Sequence, residues 1–192
     1  MTQFQKGDAS AFDRIVSHYQ GGLFHFLTRM LGDSARAEDL TQESFFRVYR
    51  SRDHYRPVAA FRSWLFTIAN HLALNELRAV RRRRRIFTDL SSGADALPDE
   101  LLANVPDDKQ MAPMDLMEKR ELRELLESLI EKLPVSQRAA LELQRGQGFS
   151  YREISESLGL STMAVKSLLV RARENLKNGV KRYLQAEKDN DP

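Results

Sequence analysis

The chain has 192 residues, no cysteine and a formal net charge of +3, with 42% hydrophobic and 30% charged residues. The absence of cysteine excludes a disulfide framework and a thiolate zinc site and suits a reducing compartment. The opening MTQFQKGDAS lacks an apolar signal core, and no apolar run approaches the roughly 20 residues of a bilayer span, so a cytoplasmic protein without membrane insertion is expected.

The length allows one medium domain or two small ones. Ten Phe, five Tyr and one Trp argue against disorder, and nearly every apolar run recurs at helical rather than alternating period, which predicts an all-α fold. Charge is unevenly spread. Residues 1–85 hold fifteen Lys/Arg against eight Asp/Glu, 86–115 hold one against seven, and 116–192 hold fourteen against twelve. Two basic blocks separated by an acidic one point to polyanion contacts at both ends.

In chain order, Ala11, Phe12, Ile15, Val16 and Tyr19 make a first helical stripe. After Gly21-Gly22, the residues Leu23, Phe24, Phe26, Leu27, Met30 and Leu31 make a second, ended by Gly32. Two core helices are predicted there. Asp33 or Ser34 can cap a third, through ARAEDLTQESFFRVYRS. Its inward stripe is Ala37, Leu40, Ser44, Phe45 and Val48, while Asp39, Gln42, Glu43, Phe46, Arg47 and Arg50 fall on the other side. An aromatic ringed by charge has the anatomy of a protein-binding surface; a solvated face with one stray Phe accounts for the same residues equally well.

Ser51 to Ala59 is a connector, with Pro57 holding Arg56 extended. Phe61 to Arg85 follows as a helix. Phe61, Trp64, Leu65, Ile68, Ala69 and Leu72 lie on one side, and Phe66, Leu74 and Leu77 lie opposite with Thr67, Asn70 and, nearby, Arg78. The five arginines Arg81 to Arg85 come next. Alone they could be a solvated tract, but beside an aromatic and an amide they form the combination used for single-stranded nucleic acid.

From Ile86 to Asp115 periodicity fails and Pro98, Pro106 and Pro113 punctuate an acidic stretch, read as a flexible acidic linker between two domains. Helical steps resume at Leu116, Met117, Leu122, Leu125, Leu126, Leu129, Ile130 and Leu133 and stop at Pro134. Three helices follow. Ser136 can cap QRAALELQR, which stops at Gly146. Ser150 and Glu153 have capping-box spacing and open YREISESL, closed by Gly159; Ser161 can cap the last helix. There Val165, Leu168, Leu169, Ala172 and Leu176 face inward, and Thr162, Lys166, Ser167, Val170, Arg171, Arg173 and Lys177 lie outside or at the margins. A short helix, a Gly turn and a longer helix with a basic outer face make a helix-turn-helix able to enter a major groove.

Catalysis finds little support. His18, His25, His54 and His71 lack metal-ligand spacing, and no Gly-rich phosphate loop or nucleophile elbow occurs. Glu38, Asp39 and Glu43 could hold a cation, but a docking surface suits an exposed helix face better. No cofactor, metal or catalytic residue is expected.

With both halves read, the chain resembles an extracytoplasmic-function sigma factor, a bacterial promoter-recognition subunit. Ala37 to Arg50 is similar to the stretch of that family that binds the clamp helices of the polymerase β′ subunit. FRSWLFTIANHLALNELR resembles its −10 helix, and FSYREISESLGLSTMAVKSLLVRARENL its −35 helix-turn-helix. The resemblance implies sigma domain 2 at 1–85, a linker at 86–115 similar to the segment threading the RNA-exit path, sigma domain 4 at 116–186 and a polar tail at 187–192. It implies binding to core RNA polymerase through Asp39, Gln42, Glu43, Phe46, Arg47 and Arg50, with the β flap as a further contact. For −10 DNA it implies His54 and Tyr55 in a base-capturing connector, then Arg62, Trp64, Phe66, Thr67, Asn70, His71, Asn75, Arg78, Arg81 and Arg82. For −35 duplex it implies Tyr151, Arg152, Ser161, Thr162, Lys166, Ser167, Val170, Arg171 and Arg173. It also implies an anti-sigma partner.

The sequence departs from the family in places. Many relatives read Ile-Ala-Arg-Asn where this chain has Ile68-Ala69-Asn70-His71, leaving Asn70 and His71 as alternatives for the base-facing role. Asn75 replaces an Asp, and Leu168 stands where an arginine is common. The competing readings are a free-standing helix-turn-helix regulator, which leaves Phe46 and the arginine surface without a role, and a nucleic-acid-processing enzyme.

Overall fold

The computed structural model describes the backbone of residues 1–90 and 113–189, and the side chains of 1–83 and 120–185. The fold is all-α, with eight α-helices and no strand among the described residues. The first half contains α1 (Thr2–Gln5), α2 (Ser10–Leu31), α3 (Ser34–Arg50), a short 3-10 turn (Arg52–His54) and α4 (Phe61–Leu90). The second contains α5 (Pro113–Glu131), α6 (Val135–Arg145), α7 (Tyr151–Leu158) and α8 (Thr162–Asp189).

The two stripes expected on either side of Gly21-Gly22 belong to one helix, α2. An interior Gly costs a helix only about 1 kcal/mol relative to Ala, and burial of Leu23, Phe26, Leu27 and Met30 offsets it. The α3 helix starts as expected: the Asp33 side chain accepts from the Arg36 amide. All five residues of its inward stripe are buried. The buried hydroxyls of Thr41 and Ser44 donate back to the Ala37 and Leu40 carbonyls, so neither is left unpaired inside the core.

The last helix of the first half continues to Leu90, past the expected linker boundary. The rest of the linker between 91 and 112 lies outside the described residues, as do 190–192 of the polar tail. In the second half, α5 begins at Pro113, a first-turn position where the missing N–H has no partner to lose. Ser136 does not cap α6; the helix starts one residue earlier. Pro134 precedes it with a pre-set φ of −50° and its carbonyl accepts from both Gln137 and Arg138. The capping box at Ser150 and Glu153 is complete. Gly159 then closes α7 in the left-handed region, with φ of 65°, where a side chain would be strained. Ser161 caps α8 by accepting from the Ala164 amide.

The two helical halves pack against each other. Helix α4 packs along α7 and α2 against α6, and a single apolar core runs from Leu23 and Phe66 to Phe149, Ile154 and Leu169. Among the described residues no helix is long and apolar enough to cross a membrane.

Candidate nucleic-acid and protein interfaces

The outer face of α3 is open. Phe46 is 55% exposed, and its one described ring contact is the Arg50 guanidinium 5.8 Å from the centroid. Asp39, Gln42, Arg47 and Arg50 are exposed around it and Glu43 is half-buried. Glu43 holds Arg47 at 2.8 Å, and Arg36 reaches Asp39 at 3.1 Å. Such exposed pairs are worth a few tenths of a kcal/mol and release readily to another partner. Tyr49, one turn on and also exposed, extends the apolar patch; the sequence reading passed over it.

The connector is tethered by the chain's first helix. Gln5 Nε2 donates to the Arg52 and Tyr55 carbonyls at 2.8 and 2.9 Å, and Arg52 lies 5.1 Å over the Phe4 ring. Four residues of α1 carry no periodic signal, which is why this tether was not foreseen. Beyond it, Tyr55, Trp64 and Phe61 form an aromatic cluster, with Tyr55 and Trp64 centroids 4.8 Å apart and Phe61 reaching Tyr19 at 5.5 Å. Burial, with a smaller contribution from Tyr19, raises the Tyr55 pKa. His54, Arg56 and Val58 stand in solvent beside this cluster.

On α4 the expected exposure is corrected at two positions. Phe66 is 1% exposed and Asn70 3%. Phe66 packs edge-on between Phe26, at 5.5 Å, and Phe149, at 5.0 Å. This side of α4 is shared between α2, through Phe26, and the second half, through Phe149 and the adjoining α7. Arg62 is drawn into the same contact: it pairs with Glu153 at 2.9 Å, lies 3.9 Å over the Phe149 ring and reaches the Gln147 carbonyl at 3.5 Å. Glu153 is held below the usual carboxylate pKa, chiefly by the Ser150 amide of the capping box and in part by Arg62. Thr67 is half-buried and donates to the Ser63 carbonyl. His71, Asn75, Arg78, Arg81 and Arg82 remain exposed. Of the two candidates for a base-facing role, His71 is the one in solvent.

One member of the arginine run has an intramolecular partner: Arg83 reaches Glu76 at 3.2 Å, and Glu76 also takes Arg36 at 2.8 Å. Arg36, the stronger of the two, and Arg83 hold Glu76 below the ordinary carboxylate pKa. The side chains of Arg84 and Arg85 lie outside the described residues.

The outer face of α8 matches the sequence reading. Thr162, Lys166, Ser167, Arg171 and Arg173 are exposed, as is Val170 at 49%. Arg173 is steadied by Gln144 at 2.8 Å. Ser161 and Arg152 are exposed and Tyr151 half-buried at the neighbouring end of α7. Leu168 packs half-buried against the core.

These surfaces sit in chain segments that match known sequence families. The Sigma-70 region 2 profile matches residues 15–84 and the Sigma-70 region 4 profile residues 123–176. The ECF RNA polymerase sigma-E factor of Salmonella typhimurium is 36% identical over 177 residues, covering 92% of this chain and 90% of that one. Among solved structures, the sigma factor RpoE of Bartonella quintana, in complex with the anti-sigma factor NepR, aligns with a TM-score of 0.64 at 23% identity. That alignment covers 90% of this chain and 98% of RpoE. CnrH, in complex with the cytosolic domain of CnrY, aligns at 0.65 with 23% identity, covering 94% of each chain.

Proposed function

The chain belongs to the extracytoplasmic-function family of RNA polymerase sigma factors, and we propose that it acts as a specificity subunit that binds core polymerase, reads two promoter elements and melts the −10 region. Its role is binding rather than catalysis. Residues 1–85 serve as sigma domain 2, 116–186 as sigma domain 4, and the acidic segment 86–115 as the linker. The carrying observation is Phe46, exposed within a ring of releasable charges on α3. A free-standing regulator has no use for it, whereas a subunit that must seat on the β′ clamp helices needs such an anchor.

For the −10 strand, His54 and Tyr55 flank the capture site for a flipped base, whose unstacking by a few kcal/mol is recovered by stacking and edge hydrogen bonds. His71, Asn75 and Arg78 continue that surface, and Arg81 and Arg82 neutralise adjoining phosphates. For the −35 duplex, Lys166, Ser167, Val170, Arg171 and Arg173 face the major groove, with Tyr151, Arg152, Ser161 and Thr162 at its edge. RpoE and CnrH are found with NepR and CnrY, and on that likeness an anti-sigma protein is the expected regulator of this chain.

The test is reconstitution with core polymerase on promoter fragments identified by mapping transcript starts after overexpression. Start-site-specific transcripts support the reading; −35 duplex binding without any such transcript sinks it and favours a free-standing regulator. A finer expectation concerns the arginine run. Exposed Arg81 and Arg82, both changed to Ala, should lower the salt slope of −10 strand binding by about 1.4, since each phosphate contact on single-stranded DNA contributes roughly 0.7. An unchanged slope in a salt titration removes these two residues from the DNA surface.

A further inference from the structure

The connector that carries His54 and Tyr55 joins α3 to α4, but its side-on support comes from elsewhere. Among the described residues, the hydrogen bonds that reach it from outside those two helices come from α1. Gln5 supplies two of them from one nitrogen: Nε2 donates to the Arg52 carbonyl at 2.8 Å and to the Tyr55 carbonyl at 2.9 Å, across 47 and 50 residues of sequence. A primary amide nitrogen carries two hydrogens, so one side chain can draw both carbonyls to a single point. These carbonyls bracket the 3-10 turn Arg52–His54, and His54 stands in solvent between them. Arg52 completes the contact by donating to the Gln5 carbonyl at 3.4 Å.

The four residues of α1 make little more than one turn and cannot hold a position alone. Phe4 holds it for them. Its side chain is buried, with the ring 5.1 Å from Phe12 of α2 and 5.3 Å from Tyr49 of α3. Fixed against both helices by this plug, α1 presents the next residue, Gln5, to the connector. From the other side, the Tyr55 ring rests on Trp64 at 4.8 Å and Phe61 at 6.1 Å. The turn is therefore held by its backbone from α1 and by its following side chain from α4. An exposed turn held in this way suits selective capture, because a site that must be ordered during binding loses affinity and selectivity to that ordering.

We propose that Gln5 is a positioning residue for base capture: it meets no nucleotide itself but fixes the turn that presents His54 and Tyr55 to the flipped base. It thereby sets discrimination at that one base and not the overall affinity for the strand. This rests on the −10 reading of the connector. Phosphates are met by Arg78, Arg81 and Arg82, exposed on α4, and those contacts do not pass through α1, so non-specific binding and its salt dependence stay intact.

The full-length Gln5→Glu variant tests this, since it keeps the shape of the side chain and, when ionised, sets acceptors where both donors were. The probe is a single-stranded −10 oligonucleotide from a mapped promoter, each base of the element replaced in turn by an abasic site. In the wild type the captured position should stand out with a loss of about tenfold or more, and in the variant that loss should shrink to about threefold or less. Salt slope and −35 duplex affinity should hold. Trp64 is the only tryptophan of the chain, so acrylamide quenching of its emission should rise as Tyr55 loosens from it. An undiminished loss at the captured position overturns the proposal, as does unchanged quenching. Affinity lowered evenly at every position, together with a lowered melting temperature, assigns Gln5 to folding alone and overturns it as well. A wild-type chain in which no position stands out removes the −10 reading of the connector, and the positioning role with it, whatever the quenching shows. If Gln5→Glu does not fold, Gln5→Met, which keeps the length without a donor, is read by the same measurements.

Discussion

Changing Phe46 to Ala should weaken binding to core RNA polymerase by about 2 kcal/mol or more, roughly 30-fold, while leaving −35 duplex affinity and thermal stability of the chain unchanged. The size follows from the kind of residue and its setting. A large aromatic at the centre of a patch, ringed by charges that exclude water on docking, is the usual hot spot, and truncation of such anchors costs 2 kcal/mol or more. The selectivity follows from exposure. Phe46 is 55% exposed and outside the buried core of α3, so its removal leaves no cavity and stability should move by less than about 0.5 kcal/mol. Loss of the Arg50 contact at 5.8 Å is minor at a solvent-exposed site. Three measurements on one protein check this: competition for core polymerase, −35 duplex anisotropy and a melting curve. Parallel losses in polymerase and duplex binding would place Phe46 in general folding rather than at a docking surface.

How far the sequence could be read depended on the range of the interaction concerned. Capping at Asp33, Ser150 and Ser161 was legible because donor and acceptor lie three residues apart. The two faces of α3 and α8 were legible for a related reason: each helix meets its own neighbours on one side, and helical period separates that side from the other. Local signals also misled. Gly21-Gly22 reads as a break, yet burial on both sides carries the helix through. Ser136 has the right chemistry for a cap, but Pro134 had already fixed the backbone one residue upstream.

On α4 the limit is of another kind. Period picks out the side of that helix that carries Phe66. It cannot say that α7, some ninety residues later, comes to lie on it. Arg62 with Glu153 and Ser63 with Ser157 are contacts of that range, and nothing near Phe66 in the sequence distinguishes a ring waiting for a base from one waiting for Phe149. The tether from Gln5 to the connector was hidden by the same distance, since Arg52 lies 47 residues away. The outer face of α8 escaped this ambiguity because no described residue covers it.

Phe66 provides the second large expectation. Its ring is 1% exposed, edge-on to Phe26 in its own bundle and to Phe149 across the domain boundary. Phe66→Ala should therefore lower unfolding free energy by about 3 to 5 kcal/mol, the range for truncating a buried aromatic, with Phe66→Leu losing distinctly less because most of the apolar volume is kept. Urea denaturation at fixed pH measures both. The opposing expectation, from a ring that stacks on the melted strand, is a stability change within about 0.5 kcal/mol with −10 binding lost. A large stability loss in the alanine variant, with strand binding of the leucine variant retained, assigns Phe66 to the floor of the −10 surface and leaves His71, the exposed neighbour of buried Asn70, as the residue positioned to meet the base.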